Sequence, residues 1–115
     1  LKIKCGLNAA DDIERIRQIR QTAGDQMRLT IDANQGYSVA ECLRVLEAIR
    51  ECRIEFAEQP VAATDLEALR EVCRRSPIPV MADESVLSAA DMLATPASLV
   101  NLKLMKTGGI TGALK

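Results

Sequence analysis

Several short apolar runs in this chain end on a charged side chain. Thr30-Ile31 leads to Asp32, Ile54 to Ala57 leads to Glu58, and Val80 to Ala82 leads to Asp83. Lysines close two others, Lys4 near the start and Lys103 near the end. Residues two apart on a strand share a face, so Asp32 and Asn34 point the same way at a strand's exit. Taken singly, each acid reads as a helix cap or a loop hydrogen-bonder, and Lys2-x-Lys4 as an exposed edge. Recurrence at matched positions changes the reading. Neighbouring strand ends lie about 5 Å apart, so three carboxylates there repel unless a cation lies between them. A hard divalent ion with oxygen ligands resolves this, and Mg²⁺ suits such a site. Lys4 and Lys103 flank the trio, a layout for moving a proton on either face of a bound substrate.

The elements that must position these residues alternate. Strands are predicted at Leu1 to Cys5, Arg28 to Ala33, Ile54 to Ala57, Val80 to Ala82 and Leu99 to Leu104. In the first, Lys2 and Lys4 share one face and Leu1, Ile3 and Cys5 the other. In the fifth, Asn101 and Lys103 share a face. Helices are predicted between them. Asn8 caps the first, with Asp11 and Asp12 in its opening turn where negative charge suits the dipole. Ile13, Ile16, Ile19 and Arg20 form its stripe, and Gly24 closes it. Ser38-Val39-Ala40-Glu41 and Thr64-Asp65-Leu66-Glu67 have the form of capping boxes. Leu66, Leu69, Val72 and Cys73 are expected to face inward. Ser88 opens a short helix through Ala94, and Thr111 the last one. Gly108-Gly109 breaks the fifth strand; with no lysine or serine following, it is not a phosphate cradle. Lys106 reads as a loop charge.

Strand–helix alternation repeated about five times, at the length of compact βα units, implies an α/β fold with a parallel sheet and outer helices. The sheet is either open and doubly wound or part of a (β/α)₈ barrel. No Gly-rich phosphate loop follows the first strand, which disfavours the dinucleotide-binding form. A whole barrel takes about 250 residues. The 115 residues would supply about five of its eight units.

Composition excludes other classes. The net charge of -1 gives no electrostatic case for nucleic acid or an anionic membrane surface. No apolar run nears the roughly 20 residues of a membrane helix. The chain has no histidine and no C-x-x-C pair, so the usual zinc patterns fail. Cys5, Cys42, Cys52 and Cys73 are read as reduced, mostly buried thiols of a cytoplasmic protein. The chain lacks an initiator methionine and opens inside a strand-like run, so it is expected to be a piece of a longer polypeptide.

The ordered motifs Lys2-x-Lys4, Asp32-Ala33-Asn34-Gln35-Gly36, Glu58-Gln59-Pro60, Asp83-Glu84-Ser85 and Asn101-Leu102-Lys103 resemble the muconate lactonizing enzyme subgroup of the enolase superfamily, and most of all its dipeptide (L-Ala-D/L-Glu type) epimerases. The resemblance covers essentially the whole chain. It implies a partial (β/α)₈ barrel domain over residues 1–115, with an N-terminal capping domain and further barrel strands lying outside it. It implies Asp32, Glu58 and Asp83 as Mg²⁺ ligands, and Lys4 and Lys103 as acid/bases on opposite faces of the substrate. Lys2 would depress the pKa of Lys4 by its like charge, and Asn34 and Glu84 would support the site.

The activity so implied is Mg²⁺-assisted abstraction of a proton next to a carboxylate, through an enolate, giving racemisation or epimerisation of a small carboxylate substrate, a dipeptide in the first instance. With a leaving group at the next carbon, the same apparatus runs cycloisomerisation or β-elimination, as in o-succinylbenzoate synthases. A third possibility is an inactive partial barrel serving as an assembly module. A homo-oligomer is expected, and the 115 residues alone are expected to be inactive, with unpaired sheet edges that favour association.

Overall fold

The computed structural model describes residues 1–114, so Lys115 at the end of the last predicted helix lies outside the described residues. The elements alternate as anticipated. They are β1 (Lys2–Lys4), α1 (Ala9–Ala23), β2 (Leu29–Asp32), α2 (Val39–Ala48), a 3₁₀ turn (Arg50–Cys52), β3 (Ile54–Glu58), α3 (Leu66–Arg75), β4 (Val80–Ala82), α4 (Ala89–Ala94), β5 (Leu99–Val100) and α5 (Ile110–Ala113).

The strands form one sheet in the order β1-β2-β3-β4-β5, with every pairing parallel. A doubly wound sheet reverses direction at a switch point. Here each strand pairs with its neighbour in sequence, the order of a barrel wall. The chain is thus a run of five βα units of a partial (β/α)₈ barrel.

Local chemistry sets the helix starts. Asn8 Oδ1 accepts from the backbone N–H groups of Ala10 at 3.0 Å and Asp11 at 3.2 Å. Ser38 and Glu41 form a reciprocal capping box. Gly24, at φ 73°, ends α1 in a backbone conformation that glycine adopts without steric cost. The core is aliphatic: Ile16, Leu29, Ile31, Val45, Leu46, Ile49, Leu69 and Val72 are fully buried. Each such side chain contributes about 1.5–3 kcal/mol of burial.

Some local expectations are corrected. The third cap is Asp65, which accepts from Ala68 N–H at 2.9 Å, and not Thr64. Leu66 then falls at the first position of α3, ahead of the buried stripe, and is exposed. Leu1 is exposed too, because the sheet begins at Lys2. β5 ends at Val100, well short of Leu104. Asn101 N–H still reaches Ala82 O at 2.8 Å, after which the chain folds into a turn closed by Lys106 N–H on Lys103 O at 2.9 Å. α5 starts at Ile110 behind Gly109, one residue before Thr111.

All four cysteines are free thiols; Cys5, Cys42 and Cys52 are buried and Cys73 half-buried. Burial pushes the Cys42 thiol up to about 12 and the Cys5 thiol up to about 11. The thiolate is the reactive form. In the folded protein at pH 8, iodoacetamide is therefore expected to spare Cys42 and Cys5, and to modify both after guanidinium unfolding. Intact-mass counting of adducts checks this; rapid labelling of Cys42 in the native protein would contradict it. Because these pKa values are raised on folding, their contribution is intact below about 8.5 and stability falls as pH rises beyond it. Among the described residues no helix is long and apolar enough to cross a membrane.

Candidate active site

Parallel register brings the predicted residues to one edge of the sheet. Lys4 pairs with Asp32, Asp32 with Glu58, and Glu58 with Met81, two residues before Asp83. The three acids are nearly sealed from solvent: Asp32 is 3% exposed, Glu58 2% and Asp83 3%. Buried carboxylates are costly unless compensated. Here lysines compensate them.

Lys4 Nζ donates to Asp32 Oδ2 at 2.6 Å and to Asn34 Oδ1 at 2.7 Å. Lys2 Nζ donates to Glu58 Oε2 at 2.5 Å and to Asp32 Oδ2 at 3.4 Å. Lys103 Nζ donates to Asp83 Oδ2 at 2.5 Å. Asn101 Nδ2 holds Glu58 Oε1 at 2.8 Å. Asn34 Nδ2 reaches Glu84 Oε1 at 3.3 Å. Glu84 Oε2 is buried with no hydrogen-bond partner among the described residues.

The electrostatics follow these contacts. Burial pushes the Asp32 carboxyl up, but hydrogen bonds from Lys4 and the Asn34 N–H, with the charges of both lysines, bring it below its ordinary value. Asp83 behaves likewise: burial is outweighed by Lys103 and Lys106. Burial tends to lower Lys2, but its bond to Glu58 and the adjacent carboxylate charges raise it overall. Lys103 is raised, chiefly by its bond to Asp83. Lys2 is thus a counter-ion set between Asp32 and Glu58.

The backbone at this edge is tightly folded. Asn34, Gln35 and Gln59 all have positive φ, at 45°, 68° and 34°. Such conformations in non-glycine residues cluster at functional sites, where surrounding structure enforces them. A Cβ added at Gly36 would stand 2.0 Å from Gly6 O, so only glycine fits where the β1 and β2 loops cross.

Three residues carry more than sequence reasoning gave them. Lys106 is no loop charge: it bonds Asp83 through Oδ1 and, at 2.6 Å, through the backbone O. The turn after Lys103 brings it there, three residues on. Asp12 is more than a dipole partner. It is 1% exposed and accepts from Gly6 N–H at 2.8 Å and Tyr37 O–H at 2.6 Å. It also pairs with Arg15, which donates to Lys4 O at 2.7 Å. Gln59 is fully buried behind Glu58; its only sequence signal is an uncharged polar residue between an acid and Pro60. Lys103, Lys106, Met92, Asn101 and Thr107 also border a cavity of about 70 Å³.

A hard divalent cation fits this donor set by chemistry. Asp32, Glu58 and Asp83 offer buried carboxylate oxygens from three adjacent strand ends, with an unpartnered carboxylate oxygen of Glu84 beside them. Among the described residues no three acidic groups converge as a ligand cluster. Each carboxylate is turned instead onto lysine.

Known proteins are similar to this chain in sequence and in fold. The chain is 50% identical to the L-Ala-D/L-Glu epimerase of Clostridium acetobutylicum, an alignment spanning 100% of this chain and 34% of that protein. The dipeptide epimerase from Enterococcus faecalis V583, solved complexed with Mg and dipeptide L-Leu-L-Tyr, superposes with a TM-score of 0.96 at 39% identity, over 99% of this chain and 33% of that one. The muconate lactonizing enzyme from Pseudomonas putida superposes at 0.92 with 29% identity, over 98% and 33%. The chain therefore spans about a third of the length of these relatives. Residues 1–115 match the family described as enolase C-terminal domain-like. With that match over the whole chain, and with the strand order and end-of-strand residues above, the chain belongs to the enolase C-terminal domain-like family.

Proposed function

We propose that the protein is a Mg²⁺-dependent epimerase acting on dipeptides, with Asp32, Glu58 and Asp83 as the metal ligands and Lys4 and Lys103 as the two acid/bases. The observation that carries this reading is the flanking of three buried carboxylates by a lysine on β1 and another just beyond β5. The relatives support it: identity is 50% to the L-Ala-D/L-Glu epimerase but 29% to the muconate lactonizing enzyme, which favours epimerisation over cycloisomerisation. A silent assembly module would gain nothing from sealing three carboxylates at one edge, where apolar residues would be at least as stable.

The chemistry follows from charge. A proton next to a carboxylate is weakly acidic because its loss puts a second negative charge beside the first. Mg²⁺ held by the three acids would supply positive charge where that negative charge develops, the kind of contact that lowers a barrier. The chain's own groups do the rest. Lys4 Nζ would take the proton from one face, and Lys103 Nζ would return one from the other. Asn34 holds Lys4 Nζ at 2.7 Å, and Asn101 holds Glu58. Lys2 and Lys106 are counter-ions to Glu58 and Asp83.

Thermal unfolding of the full-length protein with and without MgCl₂ tests the metal assignment. Mg²⁺ is expected to raise the midpoint with its concentration c, stability growing as RT ln(1 + c/Kd). Asp32→Asn should remove most of that rise. An unchanged Mg²⁺-dependent shift in the variant would refute the ligand set. Deuterium uptake at the α-carbon across a panel of dipeptides, in D₂O, tests the reaction.

A further inference from the structure

Gln59 joins three of the loops that carry the proposed ligands, and it does so from a fully buried position. Its backbone N–H donates to Met81 O on β4 at 2.8 Å, and its carbonyl accepts from Gln35 N–H in the loop after β2 at 2.8 Å. Its side-chain Oε1 accepts from Asp83 N–H at 2.8 Å, Ser85 N–H at 3.1 Å and Ser85 Oγ at 2.9 Å. Its Nε2 donates to Val61 O at 3.1 Å. The partners fix which end of the amide is which, because backbone N–H groups need an acceptor and Val61 O needs a donor. A left-handed backbone at φ 34° is maintained to make all these bonds at once.

We propose that Gln59 is the positioning residue that sets the Asp83 carboxylate against that of Glu58, so that the two can share one divalent cation. This rests on the metal reading above. Gln59 follows Glu58 directly in the chain, and its Oε1 holds the amide of Asp83 itself. Any shift of the side chain therefore moves one acid relative to the other. Its role is distinct from those of Lys2, Lys4 and Lys103, which meet the acids only at carboxylate oxygens; Lys106 also bonds Asp83 O, but ties it to the turn after Lys103 and not to Glu58. No other neutral side chain among the described residues bonds the backbone of a proposed ligand.

The test is calorimetric titration of the full-length protein with MgCl₂, alongside circular dichroism. Gln59→Met keeps the volume and removes the acceptor. Gln59→Glu keeps the acceptor and loses the donor to Val61 O. Mg²⁺ affinity is expected to fall about 10- to 100-fold in Gln59→Met, the usual cost of losing a group that orients a ligand. Gln59→Glu should bind more tightly than Gln59→Met. A residue that merely fills space leaves Gln59→Met at wild-type affinity; because the Glu variant also adds a negative charge that attracts Mg²⁺ by itself, the Met and Ser85→Ala affinities decide the matter. Ser85→Ala removes one donor with little risk to folding and should weaken Mg²⁺ binding measurably while the circular dichroism stays unchanged. Wild-type affinity in Gln59→Met, or in Ser85→Ala should Gln59→Met not fold, overturns the proposal. If the wild-type protein gives no Mg²⁺ isotherm, or Asp32→Asn leaves the isotherm unaltered, the metal reading itself has failed, and this inference with it.

Discussion

Lys103→Ala is expected to lower the epimerisation rate by at least about 10³-fold, in the range for loss of a positioned acid/base. The fall should be in kcat, with little change in KM, because the group acts on the proton in flight. The loss should also be one-sided. With Lys4 intact, the variant is expected still to exchange the α-hydrogen of one epimer with D₂O while failing to exchange the other. Lys4→Ala should show the mirror pattern. Proton NMR of each dipeptide epimer incubated separately with each variant reads this directly. Equal loss of exchange from both epimers in either variant would sink the two-base assignment. The prediction stands on the placement of the lysines at opposite ends of the acidic row, Lys4 on Asp32 and Lys103 on Asp83.

The second large effect is expected at the other end of the sheet, where strands begin. Arg20 is buried and, among the described residues, bonds no carboxylate. Its guanidinium instead donates to four carbonyls: Cys52 O at 2.7 Å, Gly24 O and Met27 O at 2.8 Å, and Arg53 O at 3.2 Å. These belong to the end of α1, the approach to β2 and the approach to β3. Arg20→Leu removes the donor from all four; Gly24 O keeps only a long bond from Met27 N–H at 3.4 Å. An orphaned buried acceptor costs about 1–3 kcal/mol, and some will find water at this edge, so a net loss of about 3 kcal/mol is expected. Urea unfolding of the full-length protein measures it as a lower midpoint at unchanged slope. A loss below about 0.5 kcal/mol, the size of an ordinary surface substitution, would show that the carbonyls are satisfied without Arg20.

Much of this was legible in the sequence because it depends on local rules. Asn8, Ser38 and Ser88 act as caps by reaching N–H groups within three residues. Asp32, Glu58 and Asp83 were found because period-2 strands and recurring unit length put them at one edge. What escaped the sequence was decided over longer distances. Asp12 suits a helix start whether exposed or buried; Tyr37, from the next unit, makes it a buried acceptor. Lys106 looks like any loop lysine until the chain turns after Lys103 and lays it on Asp83. The Leu99 to Leu104 run has strand-like composition throughout, yet only Leu99 and Val100 pair, in register with Met81 and Ala82 on β4. The lysine–carboxylate pairing itself follows from burial, which no spacing reveals.

The helices behind the sheet differ widely in length: α1 has 15 residues, α2 and α3 have 10 each, and α4 has 6. The strands they connect nevertheless keep one another's register at the charged edge. Gains and losses of whole helical turns can therefore accumulate in a lineage without disturbing the chemistry. The alignment of such relatives should show its gaps on the outer ring and almost none along the row from Lys4 to Asp83.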